Sequence, residues 1–494
     1  MSSWVFGHTS AMVTGEDMDT LDSWAEQHGD TFVIRGGFGK HMMITADNRA
    51  VAHVLSASYV FQRPPTERRG LRSFLGEGVL WAEGEQHKKQ RRIMSPAFGH
   101  AQVRGMTPIF LEEAARMCEI WTNKCTDAGG TARIDAMEWL SKAALDIIGR
   151  AGFDHLIGAL DENGQKSELA EAFEQLLRTD TSSTDFTRNM INNHFPLLRT
   201  VFPDDRTRRV ANSKQKMYEI GRHILDEKKT AILAGCDKDG AGARDLISLL
   251  LRANLASNVD PSQRLTDEEV LAQIPTFLFA GHETTSNTAT WAMYSLANNP
   301  EMQDKLRREV QTIYTDEPTL DMLNALPYLD QVVRETLRLH IFVPFVTREA
   351  LKDDVIPLEH PVIGENGQTI THIHIQEGDE VTIPIWLVNR SKSIWGPDAT
   401  KFRPERWENI PEAAAGIPGV TPGHLSFIGG PRACIGHRFA VAEMKVLLFH
   451  IARRFEFKLA VDASEIWSRS APLLHPQMRS DNSVQMPVLI TPIA

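Results

Sequence analysis

Hydrophobic and polar positions divide the chain into two extended regions that flank a long helical one. Alternation and glycines in residues 31–56 (TFVIR, GGFGK, HMMIT) predict extended segments around a glycine turn. Apolar spacing from 82 to 340 is mostly helical. Residues 346–385 again predict strands, and a coil rich in proline and glycine covers 394–433. A final helix is predicted from Ile435 onward.

These elements predict one domain over residues 1–494, mainly α with small β-sheets, because no repeat or long linker divides the pattern. The last predicted helix carries a single apolar stripe, formed by Ile435, Phe439, Ala442, Val446 and Phe449. Nowhere do about 18 apolar residues follow one another, so no transmembrane helix is predicted. The first residues also lack the basic and apolar segments of a secretory signal.

Composition narrows the possible partners and compartments. The 494 residues include 53 Lys+Arg and 64 Asp+Glu, a formal charge of −11. Net charge therefore does not favour binding to nucleic acid or to an anionic membrane. The four cysteines are too few and too scattered for a disulfide framework, and none forms a CxxC pair. An intracellular, reducing compartment is expected.

The sharpest local pattern is FIGGPRACIG, residues 427–436. Cys434 precedes the last predicted helix, where free N–H groups and the helix dipole favour a negatively charged sulfur. Gly430 and Gly436 leave room for a flat, bulky group to approach the backbone, and Arg432 adds a permanent cation. From these residues alone, a structural cysteine, a nucleophile and a Cys–His metal pair all stay open.

A second pattern lies in the middle of the chain. A capping box at Thr266 and Glu269 predicts the start of one long helix that reaches residue 299. Pro275 and Gly281 fall inside this helix and predict a local kink.

The segment AGHETT, residues 280–285, places Glu283 and Thr284 in this predicted helix. A solvated or back-bonded polar patch is the simple interpretation of such a pair, and a chemical role is the alternative. The pair His282–Glu283 begins like the zinc motif HExxH, but position 286 is serine, so the second ligand is missing.

The segment 427–436 resembles the heme-binding loop of the cytochrome P-450 family, Phe-x-x-Gly-x-Arg-x-Cys-x-Gly, at every fixed position. The resemblance implies that Cys434 is the axial thiolate of a heme b iron, whose electron donation favours cleavage of the O–O bond. It also implies that Arg432 contacts a heme propionate and that Phe427 packs beside the thiolate. Gly430 and Gly436 are the remaining fixed positions of the heme loop.

Two further motifs follow the family's order. AGHETT is similar to the family's Ala-Gly-x-Asp/Glu-Thr-Thr/Ser pattern, which implies that Glu283 and Thr284 lie above the heme and serve proton delivery. Glu335 and Arg338 lie three residues apart and face each other on a predicted helix, as a surface ion pair would. In the family this pair is buried and joined by a downstream arginine, here Arg406, for folding and heme retention.

Three more basic positions resemble propionate partners of the family. His87 and Arg91, spaced i, i+4, stand where the family often has Trp-x-x-x-Arg, so His87 is a departure from the pattern. Arg348 lies ten residues beyond Arg338 and resembles another propionate contact. A second departure is Trp407, which follows Arg406 where phenylalanine is commoner.

The resemblance implies a heme-thiolate monooxygenase with the cytochrome P-450 fold, in which a long central helix lies over the heme. The enzyme is expected to insert one oxygen atom from dioxygen into an apolar organic substrate, in secondary metabolism. An NADPH-cytochrome reductase type donor would supply electrons. Six apolar residues suggest the substrate cavity: Phe277, Phe279, Ile341, Phe342, Val343 and Phe345. A heme-thiolate isomerase or dehydratase and a noncatalytic heme sensor remain the alternatives.

Location and docking are inferred from the same resemblance. The spacing resembles fungal microsomal members, and this chain is expected to lack their N-terminal anchor. Residues 193–202 (NHFPLLRTVF) are the candidate for peripheral membrane contact, in the cytoplasm or on the cytosolic face of the endoplasmic reticulum. A basic run, Lys88, Lys89, Arg91 and Arg92, is either a docking patch for an acidic electron donor or a solvated face. No aromatic platform accompanies this run, so nucleic acid is not expected.

Overall fold

The computed structural model describes residues 7–12, 15–161, 167–177, 205–234, 245–256, 260–364 and 366–493. The predicted membrane-contact segment 193–202 lies outside these residues. The chain divides into two compact units. The first unit comprises Met1–Arg63, Cys118–Leu140 and Thr285–Ala494, and the second comprises Pro64–Met117 and Ser141–Thr284. The single domain over 1–494 stays a prediction.

Helices dominate the described chain, as the sequence predicts. They are α1 (Thr9–Met12), α2 (Asp19–His28), α3 (Asn48–Ser56), α4 (Pro65–Leu75), α5 (Gly84–Met94), α6 (His100–Asp127), α7 (Ala136–Phe153), α8 (Glu168–Leu177), α9 (Asp205–Leu233), α10 (Leu246–Leu255), α11 (Asp267–Leu271), α12 (Gln273–Ala297), α13 (Pro300–Val310), α14 (Leu320–Asn324), α15 (Pro327–Leu339), α16 (Ile385–Arg390), α17 (Lys392–Trp395), α18 (Glu412–Ala415) and α19 (His437–Arg454). Within the described ranges, none of them is long and apolar enough to cross a membrane.

The strands all belong to the first unit. They are β1 (Thr31–Arg35), β2 (His41–Thr45), β3 (Phe61–Gln62), β4 (Ala132–Asp135), β5 (Val346–Ala350), β6 (Asp354–Ile363), β7 (Thr369–Ile375), β8 (Glu380–Ile383), β9 (Phe455–Leu459), β10 (Ile466–Ser468), β11 (Pro476–Met478) and β12 (Pro487–Pro492). The main sheet has the order β1-β2-β8-β5-β3, and only its β2–β8 pair is parallel. Smaller sheets are β4-β12-β9, β6-β7 and β10-β11. The predicted hairpin and the second extended region are confirmed.

The prediction that the first extended region continues to residue 56 is wrong, because residues 48–56 form helix α3. Asp47 is the N-cap, and its side chain accepts a hydrogen bond from the Ala50 N–H at 2.9 Å. The same carboxylate accepts the backbone N–H groups of Glu359 and His360 at 2.9–3.0 Å. A cap that also binds a strand more than 300 residues away is not visible in local alternation.

The long central helix is broken near its start, not at Gly281. The predicted capping box is present, but α11 ends at Leu271 and α12 starts at Gln273. Pro275 has no N–H to donate to the carbonyl of Leu271, which accounts for the break at this position. Gly281 lies inside the unbroken helix α12, where a Cβ would approach the Ile148 side chain to 2.8 Å. Its role is close packing against α7.

Helix α19 starts two residues later than predicted and is more deeply buried. Ile435 lies outside it and is half-buried. From Ala442 to Ala452 every residue is buried, including Glu443, Lys445 and His450. A helix surrounded by protein does not require a single apolar stripe, which is why the sequence pattern underestimates its burial.

Candidate active site

A buried carboxylate in the first unit gathers five N–H donors. Glu335, on α15, is 0% exposed. Its Oε1 accepts from Nη2 of Arg338 at 2.8 Å and from Nε of Arg406 at 2.8 Å. The backbone N–H of Arg403 reaches the same oxygen at 2.9 Å. Oε2 accepts from Nε of Arg338 at 2.9 Å and from the indole N–H of Trp407 at 3.0 Å. This pair is therefore not a surface ion pair.

The two guanidinium groups also bind backbone carbonyls. Nη1 of Arg338 donates to the carbonyl oxygens of Asn389 and Ala399 at 2.8 and 2.7 Å. Arg406 donates to the Asp398 carbonyl at 3.0 Å, and its Nη1 lies 3.3 Å from the Asp398 carboxylate. A buried ion pair offsets its desolvation only when the remaining donors find partners, and here they do.

Trp407 contributes more than a large ring. Besides its hydrogen bond to Glu335, its ring lies under the guanidinium of Arg334, 4.2 Å from the ring centroid. It also packs against Trp395, with the ring centroids 5.3 Å apart. A phenylalanine at this position has no N–H, so the departure noted in the sequence adds a donor to the network.

Asn389 connects this network to the cysteine loop. Its carbonyl accepts from Arg338, and its side-chain oxygen accepts the Leu425 N–H at 2.7 Å. Its side-chain NH2 donates to Ser426 Oγ at 2.9 Å, and that hydroxyl donates to the Leu337 carbonyl at 2.5 Å. Sequence reasoning missed Asn389, which is fully buried on α16. Its only sequence signal is a polar residue inside an apolar helical segment.

The loop itself is held in a tight conformation. The backbone N–H of Cys434 donates to the Phe427 carbonyl at 2.9 Å, which closes the loop on itself. Gly430 has φ +68°, and a Cβ there would overlap the carbonyl oxygen of Leu55 at the end of α3. Glycine is therefore required by the backbone and by packing, which is a firmer reason than room for a flat group.

The surroundings of Cys434 fit a thiolate ligand. The cysteine forms no disulfide, is half-buried and lies three residues before His437, the first residue of α19, whose N-cap is Gly436. His437 Nδ1 lies 3.1 Å from the Cys434 carbonyl oxygen, so this ring nitrogen is directed at the backbone. The alternative of a metal site formed by Cys434 and His437 therefore gains no support. Arg432 is half-buried in the loop, and Arg348 on β5 is 3% exposed. A sulfur can bind a metal, and two guanidinium groups can pair with carboxylates. These three side chains therefore suit a group that carries both.

The second unit holds His87 and Arg91, both on α5, where His87 is buried and Arg91 half-buried. The basic run is smaller than it looks in the sequence. Lys89 forms an ion pair with Glu269 at 2.7 Å. Arg92 donates to the side-chain oxygen of Gln263 at 3.0 Å but stays exposed, as does Lys88.

The Glu283–Thr284 pair lies on α12, in the second unit. Burial raises the pKa of the Glu283 carboxyl to about 7, so both protonation states are populated near neutral pH. The Thr284 hydroxyl donates to the Ala280 carbonyl at 2.6 Å. The Thr284 oxygen is therefore available to other groups as a hydrogen-bond acceptor. Of the two side chains, Glu283 is the one that can take up and release a proton.

Two other buried polar side chains were missed. His282 is 4% exposed, and its Nε2 lies 2.5 Å from Ser141 Oγ. Glu443 is fully buried on α19, where desolvation holds the pKa of its carboxyl well above the usual range and Thr285 is its hydrogen-bond neighbour. Glu443 stands between Ala442 and Met444 in the sequence, and His282 was considered only as half of a zinc motif.

A groove of about 1000 Å³ also opens in the second unit, between α4 and α9. It is lined by Ser73, Thr207, Val210, Ala211, Lys214, Gln215, Tyr218, Glu219, Arg222, His223 and Asp226. None of the predicted site residues lines it, and its lining contains no cysteine. The groove is therefore not the candidate active site.

A family model and individual known proteins both match this chain, and the two comparisons agree. Residues 2–478 match the sequence model of the family described as Cytochrome P450. The chain is 44% identical to cytochrome P450 monooxygenase 205 of Postia placenta, over 99% of this chain and 91% of that protein. It is 43% identical to monooxygenase 128 of the same fungus, and 34% identical to monooxygenase claO of Ampulloclitocybe clavipes, with the same coverage.

Glu335→Ala should destabilise the protein strongly. The substitution leaves the buried guanidinium groups of Arg338 and Arg406 without their shared partner, a loss of about 3–5 kcal/mol in the free energy of unfolding. Denaturant unfolding measures this loss. Glu85→Ala is the control, because Glu85 is exposed and lies 3.9 Å from Lys88. Equal stability of the two variants would show that the ion pairs of Glu335 do not stabilise the fold.

Trp407→Phe should lower stability by a smaller amount. The ring is largely preserved, but Oε2 of Glu335 loses one donor, and a hydrogen bond to a charged group contributes about 1.5–3 kcal/mol. A double-mutant cycle with Glu335→Gln measures the coupling between the two side chains. A coupling energy near zero would show that the indole N–H contributes nothing.

Proposed function

This chain belongs to the cytochrome P450 family, and on that premise we propose that the Cys434 thiolate would hold the iron of its heme b. The enzyme is a heme-thiolate monooxygenase that uses dioxygen, an organic substrate and a redox partner. The single observation that carries the ligand assignment is the closed loop that presents a cysteine outside any disulfide just before α19. The family match and the relatives named as monooxygenases confirm the predicted activity, and the isomerase and sensor alternatives lose support.

The heme, when bound, supplies dioxygen activation and oxygen transfer, while the protein binds, orients and excludes water. Arg432 and Arg348 would pair with heme propionates in the first unit, because both are cations held in or near the fold's interior. His87 and Arg91 on α5 are proposed as propionate contacts from the resemblance alone. Phe427 is buried in the loop and would pack beside the cysteine sulfur, with Gly430 and Gly436 shaping the backbone.

Proton delivery is assigned to Glu283 and Thr284. A carboxyl whose pKa is about 7 gives up a proton readily at neutral pH and recovers one from solvent. The Thr284 hydroxyl, whose own proton is bound to Ala280, offers its oxygen to accept a hydrogen bond and hold a neighbouring donor in place. Glu283 therefore moves the proton, and Thr284 orients the group that receives it.

The substrate is proposed to be apolar. In the second unit, Phe277 packs edge to face on Phe98 with centroids 5.6 Å apart, and Phe279 packs on Phe74 at 5.4 Å. Aromatic walls of this kind are typical of pockets for apolar ligands. A role in secondary metabolism is part of the same proposal.

The electron donor is proposed to be of the NADPH-cytochrome reductase type. Lys88 and Arg92 remain exposed on α5 and would contact acidic groups of such a donor. Contact with the cytosolic face of the endoplasmic reticulum is proposed from the likeness to microsomal members. High salt should weaken a docking that depends on these charges.

Cys434→Ala should abolish the red-shifted carbon monoxide difference band of thiolate-ligated heme. The other described cysteines, Cys118 and Cys125, are buried on α6, and burial raises the pKa of the Cys118 thiol to about 12. Neither is therefore expected to take over as ligand. The spectrum of the reduced, carbon monoxide-treated protein gives the answer, with Cys118→Ala as the matched control. A folded Cys434→Ala protein that keeps the band would refute the assignment.

Thr284→Ala should uncouple electron use from product formation. Heme content, the thiolate spectrum and substrate binding should persist, since the hydroxyl contacts its own helix. General acid catalysis commonly contributes about 10²–10⁴-fold. Product formed per NADPH should therefore fall while NADPH consumption and hydrogen peroxide release continue.

The measurement compares wild type, Thr284→Ala and Thr284→Ser with one reductase. The serine variant restores a hydroxyl and should recover most of the coupling. Unchanged coupling in Thr284→Ala would overturn the role of Thr284 even if the ligand assignment survived.

A further inference from the structure

The imidazole of His282 is held from three directions within the second unit. Ser141 on α7 reaches Nε2 at 2.5 Å. Phe173 on α8 packs edge to face against the ring, with centroids 5.4 Å apart and an interplanar angle of 79°. Nδ1 lies 3.4 Å from Oε1 of Glu283. A buried ring with this many neighbours has little freedom to turn.

These contacts select one tautomer of the ring. The Ser141 hydroxyl can donate its proton to Nε2, whereas an ionised carboxylate can only accept. The arrangement that satisfies both neighbours has the proton on Nδ1, directed toward Glu283, and a bare Nε2 that accepts from Ser141. At 3.4 Å the Nδ1–Oε1 contact is long for a hydrogen bond, so its stabilising effect on the carboxylate is mainly electrostatic.

We propose that His282 is a positioning residue for Glu283: Ser141 fixes the ring, and the ring presents Nδ1–H to the Glu283 carboxyl. This inference rests on the proposed role of Glu283 in proton delivery and assigns a partner to it. When Glu283 gives up its proton, a negative charge is left in a buried place. The N–H of His282 is the group placed to stabilise that charge.

The energetic reason follows from the surroundings of Glu283. From neighbouring elements the Ser141 hydroxyl and the Phe173 ring contact His282, and the apolar Ile148 side chain on α7 packs against Gly281 on the same helix. Burial is the cause of the raised pKa of the carboxyl. A donor aimed at a desolvated carboxylate favours its charged form, so removing the donor should raise that pKa further.

Two amide variants separate the roles of the two ring nitrogens. In His282→Asn the side-chain amide replaces Nδ1 and keeps an N–H near Glu283. In His282→Gln the amide replaces Nε2 and keeps the contact with Ser141 but offers nothing at the Nδ1 position. The two variants differ by one methylene and retain a polar side chain, so each is the control for the other.

The direct measurement is infrared spectroscopy of the Glu283 carboxyl in the substrate-free ferric holoenzyme, titrated with pH and assigned by subtraction of Glu283→Gln. We expect a midpoint near 7 in the wild type and in His282→Asn. The midpoint should rise by about one pH unit, a tenfold change in ionisation, in His282→Gln. Ser141→Ala should shift it in the same direction by a smaller amount.

Product formed per NADPH is the second measurement. It should fall in His282→Gln and stay near wild type in His282→Asn. Identical infrared midpoints in the two amide variants would overturn the inference, whatever the coupling. If the midpoints differ as expected but Glu283→Gln keeps full coupling, the proton-delivery role of Glu283 fails while the positioning by His282 stands. If Glu283→Gln uncouples and the midpoints do not differ, the positioning alone fails.

Discussion

The first unit depends on one interaction, the buried ion pairing of the Glu335 carboxylate with Arg338 and Arg406. An unpaired charge in the interior is strongly unfavourable, and this one is compensated by two guanidinium groups, an indole N–H and a backbone N–H. The donors come from α15 and from the segment 403–407, most of which lies in a short 3-10 helix, Pro404–Glu408. The network fastens this single short helix to α15. Removing Glu335 takes away the one carboxylate that both guanidinium groups share, whereas removing a single donor leaves the carboxylate with the others.

The same network reaches the cysteine loop through Asn389. Arg338 binds the Asn389 carbonyl, and the Asn389 side chain binds the backbone of Leu425 and the hydroxyl of Ser426. From there the chain continues to Phe427, whose carbonyl accepts the Cys434 N–H. A loop that holds a cofactor has to keep its geometry during the reaction. In the cysteine loop, a series of buried hydrogen bonds provides that rigidity.

Buried carboxyls are treated in two opposite ways in this fold. Glu335 is surrounded by positive donors, which suits a structural role. Glu283 and Glu443 are desolvated without such compensation, and burial raises the pKa of both. A carboxyl that is easily protonated is useful for moving protons and of little use as an anchor. The contrast explains why one glutamate is assigned to folding and another to chemistry.

The sequence by itself determined the family, the helical and extended regions, and the residue types of the ligand loop, because periodicity and motif spacing are local properties. Tertiary structure decided what those residues do. Only the folded chain shows that the Thr284 hydroxyl donates to the Ala280 carbonyl, that Trp407 donates to Glu335, that Asn389 accepts from Leu425 and that His282 contacts Ser141. It also moved the helix break to Ala272 and turned residues 48–56 into a helix. Burial and hydrogen bonding depend on partners tens to hundreds of residues away, and no local pattern records them.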